Sequence, residues 1–486
     1  MDQRYRRPLT LNRRRFLKGA IAAATTLSTQ GVRAQNRLFP AASGETILVA
    51  GAGLAGLSAA HRLREAGKRV IVIEARAVPG GRVRTVREFD GGLFGELGAA
   101  RIADTHEYAL HWIGDLSLSL TDFQPAGQAS ILAMNGLRAR SDDDAARARL
   151  TPDLHADERG LTPVQLLLKY IAGLPNELAS SDFDPAAPRW AEYDRVTWPE
   201  WLRMRGASES AITIMTLGGH SQPLSALYLL RQILLHKESR GYMKIEGGMD
   251  RLPRAIAQRL AGTIRYNSEL TRLERTGSGV RATVRSGGRN EVIAADRAVL
   301  AIPLPTLRRI TIDPPFPAEK TRAIAELPYY EATRFLIQTK TRFWEQQKLS
   351  GTARTDAPAD IWDMGYGLKG TPGLLSVTTG GPEIEAEIAP LAPAASQSYG
   401  KDLAEAAFPE IATQSQKILV HRWMDEPYAR GAFSVFYPGH MSRLTALMAK
   451  PEGRVHFAGE HLAAFSGWME GALWSGETAA AEILQQ

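Results

Sequence analysis

Ile47-Leu48-Val49-Ala50-Gly51-Ala52-Gly53-Leu54-Ala55-Gly56 is the stretch that decides the fold. Ile47 to Ala50 is a short apolar run, Leu54 to Ala66 has helical spacing, and Val70 to Glu74 is a second run rich in β-branched residues. The order predicted is strand, helix, strand. Gly51 and Gly53 let the backbone turn tightly and approach a pyrophosphate, and Gly56 lets helix and strand pack closely. Ala55 lies in the first helical turn, whose unpaired N–H groups and partial positive charge suit an anion. Glu74 ends the second strand 23 residues after Gly51, where its carboxylate can accept hydrogen bonds from ribose hydroxyls. A lone glycine loop is weak evidence, but strand, helix and acid together predict a Rossmann-type dinucleotide-binding unit.

At 486 residues the chain exceeds one ordinary core, so two or three lobes are expected. Strand character returns at Arg281–Val284, Ala298–Ile302 and Val455–Ala458, followed by a final helix from about Trp468 to Leu484. The nucleotide domain is therefore expected to be discontinuous, over 35–104, 241–303 and 446–486. Residues 105–240 are mostly helix-compatible and broken by polar and proline-bearing stretches. Residues 304–445 alternate aromatic and β-branched runs (Phe335–Thr339, Leu374–Thr379, Phe433–Tyr437), as a mixed sheet of a substrate-binding domain would. The expected class is a mixed α/β fold.

The net charge of +7 does not point to nucleic acid. Residues 1–34 hold eight basic side chains against Asp2, and without that segment the charges balance. Arg13-Arg14-Arg15-Phe16-Leu17-Lys18 precedes a mildly apolar stretch from Gly19 to Leu27, then Val32-Arg33-Ala34. This order resembles a twin-arginine export signal, with a mature start near Gln35 and a periplasmic or secreted destination. No cysteine occurs, which removes disulfides and thiolate ligands, and the ten histidines show no metal-ligand spacing.

Downstream of Glu74, Arg76 runs into Gly80-Gly81-Arg82-Val83-Arg84, a second glycine-arginine loop able to bring guanidinium groups to a diphosphate. With Gly247-Gly248-Met249-Asp250-Arg251-Leu252-Pro253 and Phe457-Ala458-Gly459-Glu460, these landmarks resemble the flavin amine oxidase family, in family order over nearly the whole chain after residue 45. The resemblance implies FAD, expected to be held non-covalently: the absence of cysteine removes a cysteinyl link, and a histidyl link is the alternative. It places Glu460 and Gly459 at the ribityl chain, and Gly98, Ala99, Leu270, Trp423 and Met469 beside the cofactor.

Glu96-Leu97-Gly98-Ala99-Ala100-Arg101-Ile102 resembles the segment of L-amino acid oxidases whose arginine binds the substrate carboxylate. A planar guanidinium can grip a carboxylate by two parallel hydrogen bonds. The alternative for Arg101 is a salt bridge to Glu96 or Asp104. The Gly467-Trp468 pair resembles one wall of the amine pocket, and Phe433 is expected near it. For Trp468 and Trp423 ordinary core packing is the rival. Two positions depart from the family pattern: the lysine near flavin N5 falls on Arg334, and a carboxylate-holding tyrosine on Thr379. Arg101, Arg334 and Trp468 are the expected catalytic residues. His220 is a candidate aid to proton transfer, against a structural reading.

The resemblance implies oxidative deamination of an L-amino acid with dioxygen as oxidant. The rivals are an amine oxidase in which Arg101 is structural, and an exported FAD-binding protein without activity. Expected partners are the amino acid or amine, dioxygen, the twin-arginine export machinery and a second copy in a homodimer.

Overall fold

Strand β1 (Thr46–Ala50) and strand β2 (Arg69–Ile73) lie parallel in register, Ile47 beside Val70 and Ala50 beside Ile73. On its other side β1 pairs in parallel with Arg297–Leu300, which pairs with Val455–Phe457, while Ile264–Arg265 extends the sheet beyond β2. Helix α1 (Leu54–Glu65) connects β1 to β2 as the crossover that parallel strands require. Ile47, Leu48 and Val49 are all fully buried, so β1 reads as a continuous apolar run rather than an alternating one because both faces are covered. The carboxy-terminal helix Met469–Leu484 lies against α1 at small residues: a Cβ on Gly476 would fall 2.2 Å from the Ala55 carbonyl oxygen.

The computed structural model describes residues 44–180, 183–217 and 223–486. The export signal expected over 1–34 and the candidate His220 lie outside these residues. A seven-stranded mixed sheet carries the substrate side, in the order Ser415–Arg422, Ala332–Thr339, Gly373–Gly380, Ala359–Asp363, Leu349–Thr355, Ala129–Met134 and Leu137–Arg140. A four-stranded sheet (Arg289–Ala295, Val280–Ser286, Ser268–Arg275, Thr311–Asp313) flanks the parallel sheet. A three-stranded sheet joins Ile102–Ala103, Tyr242–Ile245 and Leu120–Asp122.

Two expectations need correction. The 105–240 segment is not helical throughout, because Leu120–Asp122, Ala129–Met134 and Leu137–Arg140 are strands. The last two form a hairpin across Asn135-Gly136, both at positive φ (54° and 71°), the two-residue turn that matches strand twist. Phe433–Tyr437 is not a strand beyond one bridge from Ser434 to Tyr329. Its backbone is drawn elsewhere: the Ser434 amide donates to the Glu460 carboxylate and the Val435 amide to the Pro328 carbonyl. Sheets also cross the boundaries drawn from sequence, since Thr311–Asp313 joins strands from before residue 303.

Candidate active site

At the end of β1, Gly51 turns at φ 103°, and a Cβ there would sit 2.6 Å from the Ala301 carbonyl oxygen. At Gly56 the same atom would lie 1.9 Å from the Gly51 oxygen, so the loop and α1 touch through a position that admits no side chain. Gly53 differs: nothing lies within 4 Å of its Cβ position, and no side chain caps the helix start that follows. Glu74 is buried and accepts the amides of Ala52 (2.7 Å) and Arg76 (2.9 Å). Burial pushes its carboxyl up from the usual range, against those bonds. An ionised carboxylate has about four acceptor positions, which leaves capacity toward the cavity it lines.

That cavity has a volume of about 740 Å³. It begins at Glu74, Leu270 and the glycine loop, passes Gly81, Gly98 and Ala99, and reaches Arg101, Arg334, Phe433, Gly467 and Trp468. Ala55, Arg76, Trp423, Gly459 and Met469 also line it, so the expected cofactor and substrate positions share one space, with two exceptions. Gly56 lies behind the loop, where it serves packing as expected. Thr379 faces away: its hydroxyl donates to the Pro358 carbonyl at 2.5 Å, and Thr378 lines the cavity instead. Side chains alternate along a strand, so a count one residue off selects the wrong face.

The glycine-arginine loop does not spend its charges on open space. Arg82 donates to Glu460 (2.7 Å) and to the Ala432 carbonyl (3.1 Å), while Arg76 and Arg84 both pair with Glu426. Glu460 also accepts from the Ser434 hydroxyl (2.8 Å), the Gly467 amide (2.8 Å) and the Ser434 amide (3.2 Å). Burial pushes its carboxyl up, but Arg82, His461 and these bonds outweigh burial and hold it at about 2. Rather than standing free, Glu460 ties the glycine-arginine loop to the turn before Trp468.

At the far end, Trp423 donates from Nε1 to the Leu97 carbonyl at 3.0 Å, and a Cβ on Gly98 would lie 3.1 Å from its ring. Arg334 donates from Nη1 to the carbonyls of Glu96 (2.9 Å) and Gly98 (2.7 Å) and from Nε to the Thr378 hydroxyl (3.1 Å). Burial lowers its guanidinium to about 10, so it stays charged at neutral pH.

Arg101 is the distinctive group. Neither acid expected to neutralise it does so: Glu96 accepts from Thr85 and Met249, and Asp104 from the Arg240 amide. Among the described residues Arg101 has no ion pair. It is surrounded by the rings of Tyr242 (4.6 Å), Trp362 (4.8 Å), Trp468 (5.5 Å) and Phe123 (6.0 Å), within the range of cation–π attraction. Burial pushes its guanidinium down, and it remains protonated. Lys244 fixes this cage by donating to the carbonyls of Met364 (3.1 Å) and Tyr366 (2.7 Å), which ties the strand of Tyr242 to the turn after Trp362.

Sequence reasoning missed Tyr242, Trp362, Thr378, Asp360 and a histidine pair. His106 and His236 meet at Nε2 with a separation of 3.1 Å, against Trp468. His106 Nδ1 accepts the Ala103 amide and His236 Nδ1 faces the Gln232 carbonyl, so the consistent arrangement has His106 donating to His236. Burial pushes both rings down, His106 to about 3, and keeps the pair neutral.

A family model described as flavin containing amine oxidoreductase matches residues 54–484. The chain belongs to that family. The family's flavin chemistry agrees with a cavity that joins a dinucleotide loop to an aromatic pocket. A putative L-amino-acid oxidase, YobN, of Bacillus subtilis (strain 168) is 29% identical over 462 residues, covering 90% of this chain and 94% of that protein. An L-amino acid oxidase of Lachesis muta, Lm29, is 26% identical over 463 residues, covering 93% and 89%. In fold the chain is similar to a triple mutant of putrescine oxidase (TM-score 0.79, 22% identity, covering 91% of this chain and 99% of that one). It is likewise similar to cyclohexylamine oxidase from Brevibacterium oxydans IH-35A (TM-score 0.76, 24% identity, covering 91% and 100%).

Proposed function

We propose that the chain binds FAD non-covalently and oxidises an L-amino acid at Cα, giving a 2-oxo acid, ammonia and hydrogen peroxide. The observation that carries this reading is Arg101, a guanidinium at the cavity wall with no acid paired to it among the described residues. A substrate carboxylate supplies the missing charge through two parallel hydrogen bonds, and the low polarity of the aromatic cage strengthens them. The relatives named as L-amino-acid oxidases support the same direction.

When bound, the flavin supplies a hydride acceptor that dioxygen reoxidises. The chain supplies placement. Arg101 fixes the carboxylate and so limits which face of Cα turns toward the ring system, which is where much of the barrier can be lowered. Trp468, Phe433 and Trp362 exclude water from that space. Arg334 keeps a positive charge at the same end, where it can stabilise negative charge that develops during reduction. In the same reading, residues 1–34 direct export through the twin-arginine route.

Anaerobic mixing of the purified flavoprotein with a panel of L-amino acids and simple amines tests the function. Bleaching of the flavin absorbance by one or more L-amino acids, faster than by any amine, is expected. Faster bleaching by an amine without a carboxylate would replace the proposal with an amine oxidase. No bleaching by either class would make the chain a binding protein.

A further inference from the structure

After the strand Ser415–Arg422 the chain leaves the seven-stranded sheet as a turn that walls the cavity. Trp423, Pro427, Tyr428, Ala429, Ala432 and Phe433 all line it. The turn closes on itself, with the amides of Ala429 and Arg430 donating to the Glu426 carbonyl and that of Gly431 to the Trp423 carbonyl. Its two ends are tied to the nucleotide side, by Trp423 Nε1 on the Leu97 carbonyl and by Arg82 Nη1 on the Ala432 carbonyl.

Between those ends stands Glu426. Its Oε2 accepts from Arg76 Nη2 at 2.7 Å and its Oε1 from Arg84 Nη1. Arg76 donates with its other terminal nitrogen to the Gly81 carbonyl at 2.8 Å, so one guanidinium spans from the second glycine loop to the turn. The Arg76 and Glu426 side chains are each 16% exposed, where water screens a pair little, and Arg84 lies farther out at 44%. His421, 3.8 Å from Glu426, adds no third charge, because burial pushes its ring well below the usual histidine range. Two guanidiniums on one carboxylate leave the glycine-arginine loop net positive, so the joint can hold while an anion lies against that loop.

We infer that Glu426 is a latch on the cofactor: it clamps the turn from Trp423 to Phe433 onto the glycine-arginine loop and so slows the escape of FAD from the cavity that both line. This rests on the FAD reading of that cavity. A wall that must swing away before a bound molecule can leave acts on the rate of release. The direction of the effect is diagnostic. Removing a carboxylate makes the loop more positive, and by charge alone an anionic diphosphate would then leave more slowly. Loss of a latch makes it leave faster.

The test follows FAD release from the diluted holoprotein by timed gel filtration, well below the apoprotein thermal midpoint of each variant, in wild type, Glu426→Gln, Arg84→Gln and the double variant. Release should be at least tenfold faster in Glu426→Gln and at least threefold faster in Arg84→Gln. The double variant should lie within twofold of Glu426→Gln, because both changes break one joint. Unchanged or slower release in Glu426→Gln would overturn the inference. So would a double variant whose acceleration is the product of the two single effects, which would make Arg84 an independent contact of the diphosphate. If Glu426→Gln does not fold, the half-exposed Arg84→Gln decides alone, and release no faster than wild type would overturn the latch. Failure of the FAD reading looks different: the wild type would carry no FAD, or its flavin would stay with the denatured chain, and the latch would fall with that reading.

Discussion

Single residues at this site are defined by what they are paired with, and Glu460 and Arg101 are opposite cases. Glu460 is buried and filled with donors, so its carboxyl is held at about 2, well below the ordinary glutamate value. A depressed carboxyl contributes stability that is present above the unfolded value and lost as pH falls through the folded one. Glu460→Gln, which strands the Arg82 charge, should cost about 3 to 5 kcal/mol at neutral pH. The deficit relative to wild type should shrink as pH falls from about 4.5 toward 2. Denaturant unfolding at several pH values measures it, and a deficit flat across that window would mean that Glu460 is not ionised in the fold. Arg101 was legible from sequence because its segment resembles a known one. Its partners were not, since Tyr242 reaches it from the strand paired with Ile102–Ala103 and Trp362 from the seven-stranded sheet, both far along the chain, and no local pattern announces that meeting.

Among elements, the β1–α1–β2 unit was the most legible part, because each of its signals is local. The apolar run, the glycines and the terminal acid all fall within 30 residues and agree. The two glycines that differ in surroundings give an expectation about that unit. Gly56→Ala puts a Cβ 1.9 Å from the Gly51 oxygen and should lower the thermal midpoint of the apoprotein, at a cost of about 1 to 3 kcal/mol. Gly53→Ala has open space and ordinary φ, so the apoprotein should keep its midpoint while FAD affinity falls, because Gly53 lines the cavity proposed to take the cofactor and an added methyl would occupy part of that space. Thermal melts of both apoproteins with FAD titration separate the two effects; equal melting losses would contradict this description of the loop. Less legible were the strands of 120–140. The Asn135-Gly136 signal was present in the sequence, but the surrounding segment reads as helix-compatible and the pairing partner, Leu349–Thr355, lies more than 200 residues away. Thr379 failed for a different reason: a count from neighbouring landmarks cannot resolve which face of a strand a residue occupies.

Over the whole molecule, the cavity exists only because distant parts of the chain meet: the amino-terminal loop, the strand of Tyr242, the sheet of Trp362 and the helix after Trp468 each form one wall. A protein built this way should be exported folded with its cofactor in place, the route that the proposed leader implies. Replacing Arg13 and Arg14 by Lys should leave the precursor in the cytoplasm, measured by fractionation, and unchanged export would exclude the twin-arginine route. The assembled site also makes one claim more directly testable than the rest: a carboxylate, not merely an amine, is what Arg101 recognises. The measurement is kcat/KM for the preferred L-amino acid and for the amine left by removing its carboxylate, in wild type and in Arg101→Ala with FAD content matched. Loss of a charge-assisted pair that leaves its partner buried costs about 2 to 5 kcal/mol, roughly 30-fold to several thousandfold. A loss of that size is expected for the amino acid and little change for the amine. Equal losses on both substrates, or an amino-acid rate within threefold of wild type, would contradict it.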